Sequence, residues 1–241
     1  MQFTYDAYRS LIRILRENDY VFADYITCDD LKKSVILRHD IDYSIEKAVE
    51  LAALEAEENV KSTYFVLLSS EFYNLAAKEN KDKILQINRL GHDVGLHFDE
   101  LNYDDDCKKN VPKLILKEVQ MLEDLLQIEV KSVSMHRPSN GTLEADYDLY
   151  PYINSYGKKF FKQFKYVSDS RRRWREDVVN VIESGTYEKL HILTHAFWYH
   201  KEEKDLYTTI KDFIEQGKAD RYYILDKNIT DLKSILGEEI K

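Results

Sequence analysis

Short apolar runs alternate along this chain with longer segments patterned at helical spacing, and brief links join them. That alternation narrows the fold more than any other feature, because it is the pattern of parallel βα units. Residues 35–39 read as a buried strand, 45–58 as an amphipathic helix and 62–67 as the next strand. A helix over 81–90 stops at Gly91 before a short strand at 93–97. Pro112 opens a helix whose apolar stripe runs through Leu114, Ile115, Val119, Leu122, Leu125 and Leu126, followed by a strand at 130–135. Beyond an irregular aromatic stretch at 147–166, a helix near 177–183, a strand at 190–194 and a terminal helical region complete the pattern. No repeat, low-complexity tract or linker interrupts it, so residues 1–241 read as a single α/β domain.

The length suits one substantial core, and 44% hydrophobic residues with only three Pro and seven Gly favour an ordered domain. A net charge of −9 argues against a nucleic-acid surface, which needs a cationic stripe; Arg171-Arg172-Arg173 is a local exception. No apolar run reaches the roughly 20 residues of a membrane span, and the opening residues lack a signal peptide's basic and apolar regions. A cytoplasmic protein is the expectation. Cys28 and Cys107 have no CxxC context and read as reduced, incidental thiols.

In parallel βα folds, ligands collect at the carboxyl ends of strands. Those places hold Asp40 and Asp42, His97, His136 with Arg137, and His195. Asp40 and Asp42 share parity and face the same way from their strand. Two such carboxylates need a cation, an arginine or a shared proton, which suits a metal ligand beside a general base. A plainer reading caps the following helix with one Asp and pairs the other with Arg38. Ser132, Ser134 and His136 share one small, polar strand face that suits a barrel interior, whereas the direction of Arg137 depends on how Pro138 turns the chain. His92, His191 and His200 read as structural or peripheral, and His39 as a support behind the aspartates.

With these residues in view, the chain resembles the polysaccharide deacetylases, the NodB-homology or carbohydrate esterase family 4 group. Arg38-His39-Asp40-Ile41-Asp42 is similar to the first motif, whose two Asp residues serve as catalytic base and metal ligand. Residues 61–66 resemble the second core strand, and 91–97 the segment leading to the metal histidines. Residues 134–139 resemble the motif whose Arg, here Arg137, orients the base. Residues 168–174 resemble the motif whose Asp, here Asp169, supports the catalytic His and whose Trp, here Trp174, lines the groove. Residues 193–198 resemble the motif that supplies the general acid, here His195. The resemblance implies a distorted (β/α) TIM-like barrel of about seven parallel strands.

It also implies hydrolysis of an N-acetylated sugar or glycan precursor assisted by a divalent metal, zinc foremost. Asp42 and His97 would be two ligands, with His136, on the polar face of its strand, the candidate for the third; Trp174 and Trp198 would stack on sugar, and Arg173 would either meet an anionic group of the substrate or belong to a solvated basic loop. The family's second metal histidine falls on Leu101, which cannot bind a cation. Two alternatives therefore stand beside deacetylation: hydrolysis of a small amide or cyclic ureide, as in allantoinase-like relatives, and sugar binding by a pseudoenzyme.

Overall fold

In a computed structural model the described residues are 1–105 and 107–237, with the side chains of Cys107 and Lys109 outside the description. Two compact units, Met1–Lys201 and Glu202–Lys241, divide the chain. The first is an α/β barrel-like body; the second carries the helices α7 (Leu206–Asp226) and α8 (Leu232–Leu236).

The first unit contains β1 (Val21–Phe22), β2 (Ser34–Ile41), β3 (Thr63–Val66), β4 (Asp93–Asp99), β5 (Ser132–His136), β6 (Ile153–Asn154), β7 (Lys165–Ser168) and β8 (Lys189–Thr194). Seven of them form one continuous parallel order, β6-β5-β4-β3-β2-β8-β7, while β1 pairs with the start of β2. Every strand expected from sequence is present, with each end within two residues of its expected place. Two strands, β6 and β7, lie in or at the edge of the stretch that reads as irregular. Helices α2 (Ile45–Glu57), α3 (Lys78–Arg89) and α4 (Val111–Leu126) connect β2 through β5, the short α5 (Asn140–Ala145) follows β5, and α6 (Val178–Glu183) connects β7 to β8. Helix α1 (Tyr5–Glu17), whose N-cap Thr4 accepts from the Ala7 amide at 3.1 Å, has no counterpart in the sequence reading.

The sheet curls. Between β2 and β6 lie three strands, so a flat sheet would separate them by about 19 Å at the usual strand spacing. Arg38 on β2 nevertheless places Nη1 at 3.5 Å from Ser155 Oγ, just past β6. Inside this curve, Ile36, Phe65, Phe160, Phe164 and Tyr25 form one buried apolar cluster. Gly95 of β4 faces the same space: a Cβ there would lie 2.5 Å from the Phe65 ring and 2.7 Å from the Ser132 carbonyl. His191, also inside, bonds Tyr25 Oη at 2.8 Å and is a buried aromatic neighbour, as expected from its place at the wrong end of its strand.

Outside the sheet, α2 covers β2 and β3 through Ala48, Leu51 and Ala52, and inserts the fully buried Glu55. Glu55 accepts from Tyr8 Oη at 2.6 Å, Ser62 Oγ at 2.6 Å and Tyr64 Oη at 2.7 Å, and lies 2.9 Å from His39 Nε2. Burial pushes the Glu55 carboxyl up, but the neighbouring His39 charge and these donors outweigh it and bring it down to about 2. His39 thus supports β2 from behind, its Nδ1 2.6 Å from Thr194 Oγ1 of β8. His92 is likewise structural, lying 3.0 Å from both Ser62 Oγ and the Ala52 carbonyl. Cys28 is a buried free thiol, while the Cys107 side chain lies outside the described residues.

Glu55→Ala leaves His39 and both tyrosines without their acceptor and should cost roughly 3 kcal/mol in urea unfolding. Because the folded Glu55 titrates below its ordinary value of 4.5, its contribution is complete above that value and drains away as pH falls toward about 2. Glu55→Gln should flatten that part of the acid-unfolding curve. Gly95→Ala should destabilise by about 1–3 kcal/mol through overpacking against Phe65.

Candidate metal centre and active site

Strand alternation sends Arg38, Asp40 and then Asp42 into the curve of the sheet, and does the same for His97 of β4, Ser134 and His136 of β5, and His195 after β8. Asp42 Oδ1 lies 3.2 Å from His97 Nε2 and 3.3 Å from His136 Nδ1, and the two imidazole nitrogens are 3.2 Å apart. For tetrahedral zinc with bonds of about 2.0–2.1 Å, ligand atoms on one face are about 3.3–3.4 Å apart. The three donors therefore match the face of such a shell. Asp42 Oδ1 is also buried with no aligned hydrogen-bond donor, an orphaned carboxylate oxygen that a cation would satisfy. Burial pushes the Asp42 carboxyl up, but His136, His97 and the charge of His195 outweigh it and hold the group well below its usual range.

Ser134 prepares one ligand. Its Oγ accepts from Arg38 Nη2 and lies 3.0 Å from His97 Nδ1. It can therefore accept a hydrogen bond from Nδ1–H, holding the tautomer that leaves the Nε2 lone pair for a metal. His136 stands where the expected third ligand stands, while Leu101, on the turn Glu100–Asn102 after β4, is 57% exposed.

Asp40 sits beside this triangle, its Oδ2 3.5 Å from His97 Nε2. Both its oxygens are held by the fully buried Arg38, Nε to Oδ1 at 2.9 Å and Nη2 to Oδ2 at 2.7 Å. Burial would raise the Asp40 carboxyl, but the Arg38 guanidinium outweighs it and keeps it below its usual range. Arg38, and not the Arg137 that the motif resemblance implies, thus holds Asp40. Arg137 follows His136, has the opposite parity, adopts a left-handed φ of +48° and pairs with Asp99. Of the two arginines the sequence offers, the one sharing parity with Asp40 on its own strand takes the task.

Across the site, His195 Nε2 lies 3.7 Å from Asp42 Oδ2. Its Nδ1 is 2.6 Å from Asp169 Oδ1, and both Asp169 oxygens accept the His195 amide at 3.1 Å. Burial lowers the imidazole, but the Asp169 carboxylate more than offsets this and lifts it to about 9. Asp169 owes its place to β7, which the sequence reading leaves irregular. After it, Arg171 and Arg172 both adopt left-handed φ values, +60° and +57°, a costly conformation for residues with a Cβ.

The remaining expected residues differ in what they present. Arg173 is exposed and Trp174 is half-buried. Trp198 is 6% exposed, with its ring packed on Phe197 and Tyr43, so it supplies packing rather than an open stacking face. The short turn Ala196–Trp198, closed by the Trp198 amide on the His195 carbonyl, tucks it inward. Asp99 and Ser155 complete the polar interior; parity with His97 marks the first in the sequence, whereas nothing local marks the second.

No protein-family model and no curated protein sequence matches the chain. Among solved structures, it is similar to a family 4 carbohydrate esterase from Bacillus anthracis (18% identity, 86% of each chain, TM-score 0.45). It is similar also to the catalytic domain of a peptidoglycan N-acetylglucosamine deacetylase from Eubacterium rectale (14% identity, 77% of this chain and 84% of that one, TM-score 0.44). A third is a family 4 pseudoenzyme from Bacillus anthracis (18% identity, 77% of this chain and 62% of that one, TM-score 0.43). Among the described residues, no helix is long and apolar enough to cross a membrane.

His136→Ala should weaken zinc binding by more than about 100-fold, measured by competition with a chromophoric chelator. His92→Ala, which deletes a buried imidazole away from the three donors, should leave that affinity unchanged and lower only stability.

Proposed function

We propose that this chain is a metal-dependent hydrolase that removes the N-acetyl group from a sugar of a surface glycan or its precursor. One arrangement carries the reading: beside the Asp42–His97–His136 triangle stand both a carboxylate, Asp40 Oδ2 at 3.5 Å from His97 Nε2, and an imidazole, His195 Nε2 at 3.7 Å from Asp42 Oδ2. The mixed oxygen and nitrogen donors suit zinc. A divalent ion there would supply Lewis acidity, lowering the pKa of a water from 15.7 to about 7 and polarising the amide carbonyl. The sugar comes from the motif resemblance.

In this reading, Asp40, fixed and kept ionised by Arg38, takes the proton from the attacking water. His195, oriented and kept protonated by Asp169, gives its Nε2 proton to the departing nitrogen as the C–N bond breaks. Acetate and the free amino sugar are the products. Arg38, Asp40 and Asp169 are all buried, so these charges act on one another with little screening by water.

Metal analysis and acetate release from N-acetylated glycans test the proposal together. Wild type should carry stoichiometric metal, and Asp40→Asn should keep that metal while losing about 10²–10⁴-fold in kcat. Ring opening of a cyclic ureide without acetate release would move the assignment to small amides. A folded protein that binds sugar but no metal would overturn it in favour of a binding module.

The pH profile checks the acid. His195 titrates near 9 with Asp169 in place, so activity should fall as pH rises through that value. In Asp169→Asn the carboxylate that raises the imidazole is gone, and the alkaline limb should move to lower pH as kcat drops.

A further inference from the structure

Resting on the metal reading above, we infer that Asp99 and Arg137 form a positioning clamp that aims the third ligand, His136, at the metal, with Glu100 fastening the loop behind it. Three observations converge on this clamp.

The first is strain. Arg137 holds φ at +48°, a left-handed region unfavourable for a residue with a Cβ. Such a conformation persists only where its surroundings over-determine it. It occurs immediately after His136, so the turn that ends β5 also sets the direction of that imidazole.

The second is the pairing that holds the strained residue. Arg137 Nη2 donates to Asp99 Oδ2, and Asp99 is itself 3% exposed. The other oxygen, Oδ1, accepts from the Leu101 amide at 3.1 Å, so the carboxylate cannot swing away without losing both. Asp99 stands opposite His136 in the β4–β5 register. The clamp thus ties the residue after the ligand to the residue across from it.

The third is the next residue along. Glu100, 5% exposed, accepts from the Ser139 amide and from Thr142 Oγ1. Asp99 and Glu100 together therefore hold the segment from Arg137 to Thr142 at its backbone, its guanidinium and a hydroxyl. The turn bearing Leu101, which lacks a metal-binding side chain, is the same turn whose flanking carboxylates secure the replacement ligand. A partner of this kind typically changes metal affinity by 10–100-fold when removed, without itself touching the ion.

The test is zinc affinity, by chelator competition, together with the visible absorption spectrum of the cobalt(II)-loaded protein. Arg137→Met and Asp99→Asn should each weaken zinc by about 10–100-fold and alter the cobalt(II) spectrum, because His136 is no longer aimed. Arg137→Lys, which can still reach Asp99, should recover part of the affinity. Arg137→Gly tolerates the left-handed backbone without strain, so it should stay as stable as wild type yet bind zinc weakly. The Arg137 side chain is half exposed, so its variants should fold even if Asp99→Asn does not. Unchanged affinity and spectrum in Arg137→Met and Arg137→Gly would overturn the clamp and leave the metal site standing. A wild type that binds no metal would overturn both.

Discussion

A guanidinium with no access to water sits near the middle of the sheet's concave face, and much of the interior is arranged to satisfy it. Arg38 spends Nε and Nη2 on Asp40, shares Nη2 with Ser134 and reaches Ser155 through Nη1. The rings of Tyr156 and Phe65 lie against it, 4.8 and 5.2 Å from its central carbon. Burying a charge costs several kcal/mol unless geometry and hydrogen bonding return it, and losing one partner of such a pair is worse than never having had it. Arg38 therefore ties β2, β5 and the residue after β6 into one curve. It also stands where the apolar cluster, through Phe65, meets the polar groups around Asp40.

Strand β2 is polar on both faces at its carboxyl end, an uncommon state for a central strand. Inward stand Arg38 and Asp40; outward stands His39, held by Glu55 and Thr194. The outer cluster contains no group that touches the metal donors, yet it fixes the strand that carries Asp40 and Asp42. Precision at the site is thus a property of two polar networks back to back, one on each side of a single backbone. Both are buried, so each is strong where complete and costly where broken.

The three metal-competent residues come from β4, β5 and the residue just past β2, and the proposed acid from the residue just past β8. Placing donors at strand ends rather than on longer loops limits how far each can drift. His136 is the last residue of β5, and the chain turns directly after it. Its aim depends on contacts with the neighbouring strand end.

Parity and spacing along the chain were enough to mark the parallel βα architecture, the inward pair Asp40 and Asp42, the polar face of Ser132, Ser134 and His136, and His97 and His195 at strand ends. These are local properties, because strand alternation and helical periodicity repeat every two and 3.6 residues whatever the rest of the chain does. Strands β6 and β7 were not legible: each is short, and their pairing comes from neighbours distant in sequence. The partners of the charged groups were not legible either. Whether Asp40 would be held by Arg38 or Arg137, and whether Trp198 would be open or packed, depended on which side chains the curled sheet brought within about 3 Å. Sequence alone determined which residues face inward. The tertiary structure decided which of them meet, because curvature brings together strands that a flat sheet would hold about 19 Å apart.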